Sequence, residues 1–140
     1  MGRVIRTESG ARRRQRLMRS MASVLRYSAD HNPSEAEQQD LLAYVGLALR
    51  EIVNSVNQSA EAWEKRGYWV KADRFREEWR WAGEAHRAAA RALEIDDEGG
   101  AITVLTSLLD PLRAVEPYKR PQDQPSWRGA RLLWNDRGKD

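Results

Sequence analysis

Two apolar stripes flanking a single glycine constrain the fold of this chain more than any other feature. Before the glycine, Leu42, Val45, Leu49, Ile52, Val56, Ser59 and Trp63 recur at alternating intervals of three and four residues. After it, Tyr68, Ala72, Phe75, Trp79, Ala82, His86, Ala89 and Leu93 repeat the pattern. An α-helix turns once in about 3.6 residues, so this spacing gathers apolar side chains on one side of each helix and demands a packing partner. Gly67 between the stripes suits a helix C-terminus, because it enters the left-handed region without a Cβ clash, and Lys65 and Arg66 complement the negative end of the helix dipole. The expectation is an all-α protein built on a long antiparallel helical hairpin from about Ser34 to Glu94. Small residues at 72, 82 and 89 interdigitate there with the large ones at 75 and 79.

A further helix is expected from Ala11 to Asp30. Leu17, Met21, Val24, Leu25 and Ser28 form its apolar stripe, and Arg12, Arg16, Arg19 and Arg26 its charged side. His31 to Ser34 interrupts the pattern, since Pro33 lacks an amide donor and disfavours helical geometry at Asn32. Ser34 with Glu37 then has the form of a capping box. Asp96, Asp97 and Glu98 are placed to start a short fourth helix, with Ile102, Leu105, Leu108 and Leu109 as its apolar face and Pro111 as its limit. The organisation read from this is a flexible basic arm over residues 1–10, a helical bundle domain over 11–112 with the first helix packed alongside the hairpin, and a Pro-containing, largely irregular C-terminal tail over 113–140.

The residue inventory argues against most chemistry. The 140 residues include no cysteine, which removes disulfides, thiol nucleophiles and thiolate metal sites. No Glu lies three residues before either histidine, as the inward-facing ligand pairs of a di-iron bundle require, and no phosphate loop, calcium loop or nucleophile elbow is present. His86 lies in a helical stripe and His31 in a turn, both ordinary structural positions. The expectation is a non-enzymatic protein with no catalytic, cofactor-binding or metal-binding residues. No apolar stretch approaches the roughly 20 residues that span a bilayer, and the N-terminal residues lack a secretory apolar region, so the expected location is cytoplasmic.

The formal net charge is +3, yet its distribution is uneven. Arg3, Arg6, Arg12, Arg13, Arg14, Arg16 and Arg19 crowd into nineteen residues with Glu8 as the one acid. Guanidinium groups bind phosphate through two parallel hydrogen bonds, and neutralised phosphates release counterions, so these seven are the candidate nucleic-acid-binding residues. No base-reading motif accompanies them, which makes any such binding backbone-directed. The opposing interpretation is a solvated face that only confers solubility.

The six tryptophans supply a second class of candidate. Trp63 and Trp79 fall on the stripes and are expected in the core, whereas Trp69, Trp81, Trp127 and Trp134 are the candidate partner-surface residues. The block from Ala62 to Trp81, containing Trp63, Glu64, Lys65, Arg66, Gly67, Tyr68, Trp69, Val70 and Lys71 and then Arg74, Phe75, Arg76 and Trp79, resembles a stretch of small uncharacterised all-helical bacterial proteins. The resemblance implies a prokaryotic helical protein and carries over no activity or site residue. Two binding readings stand level: nucleic-acid or ribonucleoprotein binding through the arginines, and assembly with a protein partner or a second copy through apolar helix faces.

Overall fold

A computed structural model of the protein describes residues 8–138. The fold is all-helical, with no strand among the described residues. Its elements are α1 (Gly10–His31), α2 (Glu35–Lys65), α3 (Trp69–Glu78), α4 (Arg80–Glu94), α5 (Glu98–Ser107), α6 (Leu109–Leu112), a 3-10 turn (Pro121–Asp123), α7 (Ala130–Leu133) and a π-helical turn (Trp134–Gly138).

The helix ends are set by short-range chemistry. Ser9 caps α1 by accepting from the Arg12 amide, and Asn32 ends that helix at φ 44°. Ser34 and Glu37 form the reciprocal capping box at the start of α2, with bonds of 3.2 and 3.0 Å. At the other end of α2, Gly67 sits at φ 85° while the Tyr68 amide donates to the Trp63 carbonyl and the Gly67 amide to that of Glu64, a Schellman closure. Asp97 caps α5 by accepting from the Gly100 amide at 3.0 Å.

The helix expected after Gly67 is two helices. The backbone leaves helical geometry at Trp79 (φ −103°, ψ 11°), and Ala82 donates to the Trp79 carbonyl in a tighter three-residue step. Neither Gly nor Pro marks the place. Tyr68, expected on the stripe, precedes α3 without capping it by its side chain and is 55% exposed. The face of α5 is also rotated from expectation. Ala101, Val104, Leu105, Leu108 and Leu112 are buried, while Ile102 and Leu109 point outward.

Helix α2 occupies the centre, in contact with α1, α3, α4, α5 and α7. Its single expected stripe is only part of what it buries: Leu41, Ala43, Gly46, Ala48, Ser55 and Ala60 are also inaccessible, so the helix is enclosed on several sides. Leu17, Met21 and Val24 of α1 reach this core from one direction, and Ala82, Ala85, Ala89, Ala92 and Leu93 of α4 from another. The small side chains of α4 let its backbone come close.

Residues 113–129 are largely irregular but firmly attached. Asp40 of α2 accepts from the Gly129 and Arg131 amides, both at 3.0 Å, and so caps α7 from a distant part of the chain. Arg131 in turn donates to the Leu93 carbonyl at 2.7 Å and lies 3.2 Å from Asp96, satisfying the end of α4. On either side of these anchors Trp127 and Trp134 enter the core. Trp134 lies over Gly46, where an added Cβ would meet the indole at 2.8 Å. A side chain at position 46 would have to displace the ring, so the glycine permits this close approach.

Candidate nucleic-acid interface

Helix α1 sorts its arginines by helical phase. Arg14 lies three residues before Leu17 and seven before Met21, on the apolar side, and it is buried at 8% exposure. Its guanidinium donates to Ser55 Oγ at 2.8 Å and to Ser59 Oγ at 3.3 Å, and sits 4.8 Å from the Phe75 ring centre and 5.7 Å from that of Trp79. Burial lowers its affinity for the proton, opposed by the charge of Glu78. Arg14 is therefore a packing residue joining α1 to α2 and α3, and its assignment to a nucleic-acid surface is corrected. Arg13 is half-buried and bonded to Glu51 at 3.1 Å. Arg3 and Arg6 lie outside the described residues.

The remaining three converge. Arg12, Arg16 and Arg19, separated by four and three residues, share one shallow concavity with Glu8, Gln15 and Tyr118. The Arg16 guanidinium binds the Glu8 carboxylate through two nearly parallel bonds of 2.9 and 3.0 Å. That hydrogen bonding holds the Glu8 carboxyl below its ordinary pKa and the Arg16 guanidinium above its own. Arg19 donates to the Glu116 carbonyl at 3.1 Å and lies 4.2 Å from the centre of the Tyr118 ring. The irregular segment crosses α1 at this point, because the Tyr118 amide donates to Ser23 Oγ at 2.8 Å and Ser23 donates to the Arg19 carbonyl at 2.9 Å.

Beyond the crossing lies a second recess of about 570 Å³, between the end of α1 and residues 117–128. Tyr118 lines both concavities. On the α1 side Tyr27 and His31 stack with ring centres 4.1 Å apart and planes 9° from parallel. Trp127 lies against Tyr27 at 5.0 Å, and the Arg128 guanidinium covers Trp127 at 4.4 Å while bonding to Glu37 and to the Tyr27 hydroxyl. Sequence reasoning missed this recess. The signal available was the run Pro117, Tyr118, Lys119, Arg120, Pro121, where an aromatic and two cations lie between two prolines, the second of which keeps Arg120 extended.

The partner-surface tryptophans separate sharply. Trp127 and Trp134 are 6% and 2% exposed and belong to the core, which corrects their assignment to a partner surface: Trp127 packs on Tyr27 and Trp134 fills the space left by Gly46. Trp81 is half-buried and stacks on Trp79 at 5.8 Å, continuing a ring series through Phe75 to Trp63. Trp69 alone of the four stays exposed, at 61%, between Tyr68 and Val70. His86 is half-buried beside Trp134, and burial together with the charges of Arg50 and Arg87 lowers its pKa.

Among the described residues no group of three or more acidic or histidine side chains is arranged to hold a metal ion, and no helix is long and apolar enough to cross a membrane. No protein-family model, curated protein or solved structure matches the chain.

Proposed function

We propose that the protein is a non-enzymatic helical binding protein that holds nucleic acid, free or within a ribonucleoprotein, by its sugar-phosphate backbone along the exposed face of α1. In this reading α2 with α3 and α4 serves as an antiparallel hairpin scaffold, α1 lies alongside it, and α5 closes one end. The observation that carries it is the convergence of Arg12, Arg16 and Arg19 on one concavity, where Arg16 already grips a carboxylate in the two-bond geometry that guanidinium uses for phosphate. Arg12 and Arg19, the two of the three whose charge is not already paired with Glu8, give a slope of log affinity against log salt of about −1.4 to −1.8 on neutralising two phosphates.

The test is fluorescence anisotropy of labelled oligonucleotides with nuclease-treated protein at low and near-physiological salt. Arg12→Glu with Arg16→Glu abolishes binding on this proposal. No binding by the unaltered protein at low salt overturns it. A second reading, assembly with a protein partner, draws on Tyr68, Trp69 and Val70, three consecutive residues more than half exposed at the α2–α3 turn. A complex that persists at high salt and ignores the two substitutions favours that reading, since buried apolar contact is little screened.

A further inference from the structure

We infer that the recess between the end of α1 and residues 117–128 is a base-stacking pocket, so that the nucleic acid bound here is single-stranded; the inference rests on the backbone-binding reading above. The two concavities are neighbours with Tyr118 as their common wall, so a strand whose phosphates follow Arg12, Arg16 and Arg19 arrives at the recess after the tail crossing. Along α1, Arg12 to Arg26 spans about 21 Å at about 1.5 Å per residue, room for several nucleotides rather than one.

The chemistry changes along that path from phosphate-binding to ring-binding. Tyr118 and His31 both line the recess, and His31 is exposed with one face laid on Tyr27, so a planar base laid on its other face would extend an existing stack. The volume, about 570 Å³, lies within the range of about 300–1,000 Å³ typical of small-molecule sites. The charge balance suits the connecting phosphates. Arg26 lies 3.8 Å from Asp30 and Arg128 is bonded to Glu37, while Lys119 adds a cation at the rim, and Arg12 and Arg19 add two more before the crossing. Duplex bases are already stacked on one another and present only edges, so a pocket walled by aromatic faces selects an unpaired strand.

The test compares three labelled probes of about ten nucleotides: a single-stranded oligothymidylate, the same strand with abasic sites in place of bases, and the corresponding duplex. The expected result is that the base-bearing strand binds about five- to a hundredfold more tightly than the abasic one, the range that stacking of one base provides. Tyr118→Leu removes that difference, read as the ratio of the base-bearing to the abasic affinity within the same variant. Quenching of tryptophan emission in the unaltered protein by the base-bearing strand alone, expected because Trp127 lines the recess, gives a readout independent of any variant. Equal binding of the two single strands with no quenching overturns the pocket and leaves the backbone reading standing, whereas loss of all binding overturns both. Binding of the duplex as tight as that of the base-bearing strand also overturns the pocket.

Discussion

The contact between Trp134 and Gly46 gives a quantitative test of how the core closes. Trp134 is 2% exposed, and a tryptophan ring buries about 150–250 Å². At about 25 cal/mol per Å² that is worth up to about 4–6 kcal/mol, and truncation of a buried aromatic to alanine costs about 3–5 kcal/mol. Gly46→Ala acts in two opposing ways. Alanine favours the helix by about 1 kcal/mol, but its Cβ would stand 2.8 Å from the indole, and overpacking of that kind costs about 1–3 kcal/mol. The substitution is therefore neutral to destabilising by about 2 kcal/mol in the intact protein. With Trp134→Ala already in place the clash is absent and only the propensity remains, so the same change stabilises by about 1 kcal/mol. The double-mutant cycle should show a coupling of about 1–3 kcal/mol in urea denaturation followed by far-ultraviolet circular dichroism. Equal effects of Gly46→Ala in both backgrounds, within about 0.5 kcal/mol, would refute the contact as the reason for the glycine.

Two other outcomes follow from the same geometry. Arg14→Ala should cost about 1–3 kcal/mol in urea denaturation through lost hydrogen bonds and ring packing, with oligonucleotide affinity unchanged. Arg14→Lys should recover little, since an ammonium lacks the flat fork that reaches Ser55 and lies over Phe75. Glu37 has its carboxyl held below 4.5, first by the Ser34 amide and then by Arg128, so its contribution is present above the ordinary carboxylate pKa and fades as pH falls through the lower folded value. Melting temperatures of the protein and Glu37→Gln, compared from about pH 6 to pH 3, should converge on the acid side. A gap that is constant across that interval would contradict the assignment.

What was legible in the sequence was local. The turn at Gly67, the capping box at Ser34 and Glu37, and the cap at Asp97 depend on residues within a few positions of one another, and the helical period is carried by each segment alone. The burial of Arg14 was legible in principle, because it falls in phase with Leu17, Met21 and Val24; the surrounding arginines obscured it. Leu41 beside Leu42 and Ala48 beside Leu49 hinted that α2 is enclosed on more than one side. The break at Trp79 left no trace, since no glycine or proline stands there. Trp127 and Trp134 pack against Tyr27 and Gly46, far away in the chain, and no periodicity in the tail encodes that pairing. The site followed the same rule. The arginines were visible as a run, whereas the selection of Arg12, Arg16 and Arg19 and their union with Tyr118 required the chain to cross α1.

That crossing also sets an order of events. The bonds from Arg19 to Glu116, from Tyr118 to Ser23 and from Arg128 to Tyr27 join residues 97, 95 and 101 positions apart. Helical turns form within about a microsecond from neighbours, but each of these bonds must first close a loop of more than two thirds of the chain. A helical protein ordinarily folds quickly because its contacts are short-range; here the walls of the recess are the long-range exception. The strap over α1 is therefore expected to settle last, and amide exchange should be faster along it than in the enclosed α2, despite the bonds that hold it in the folded protein.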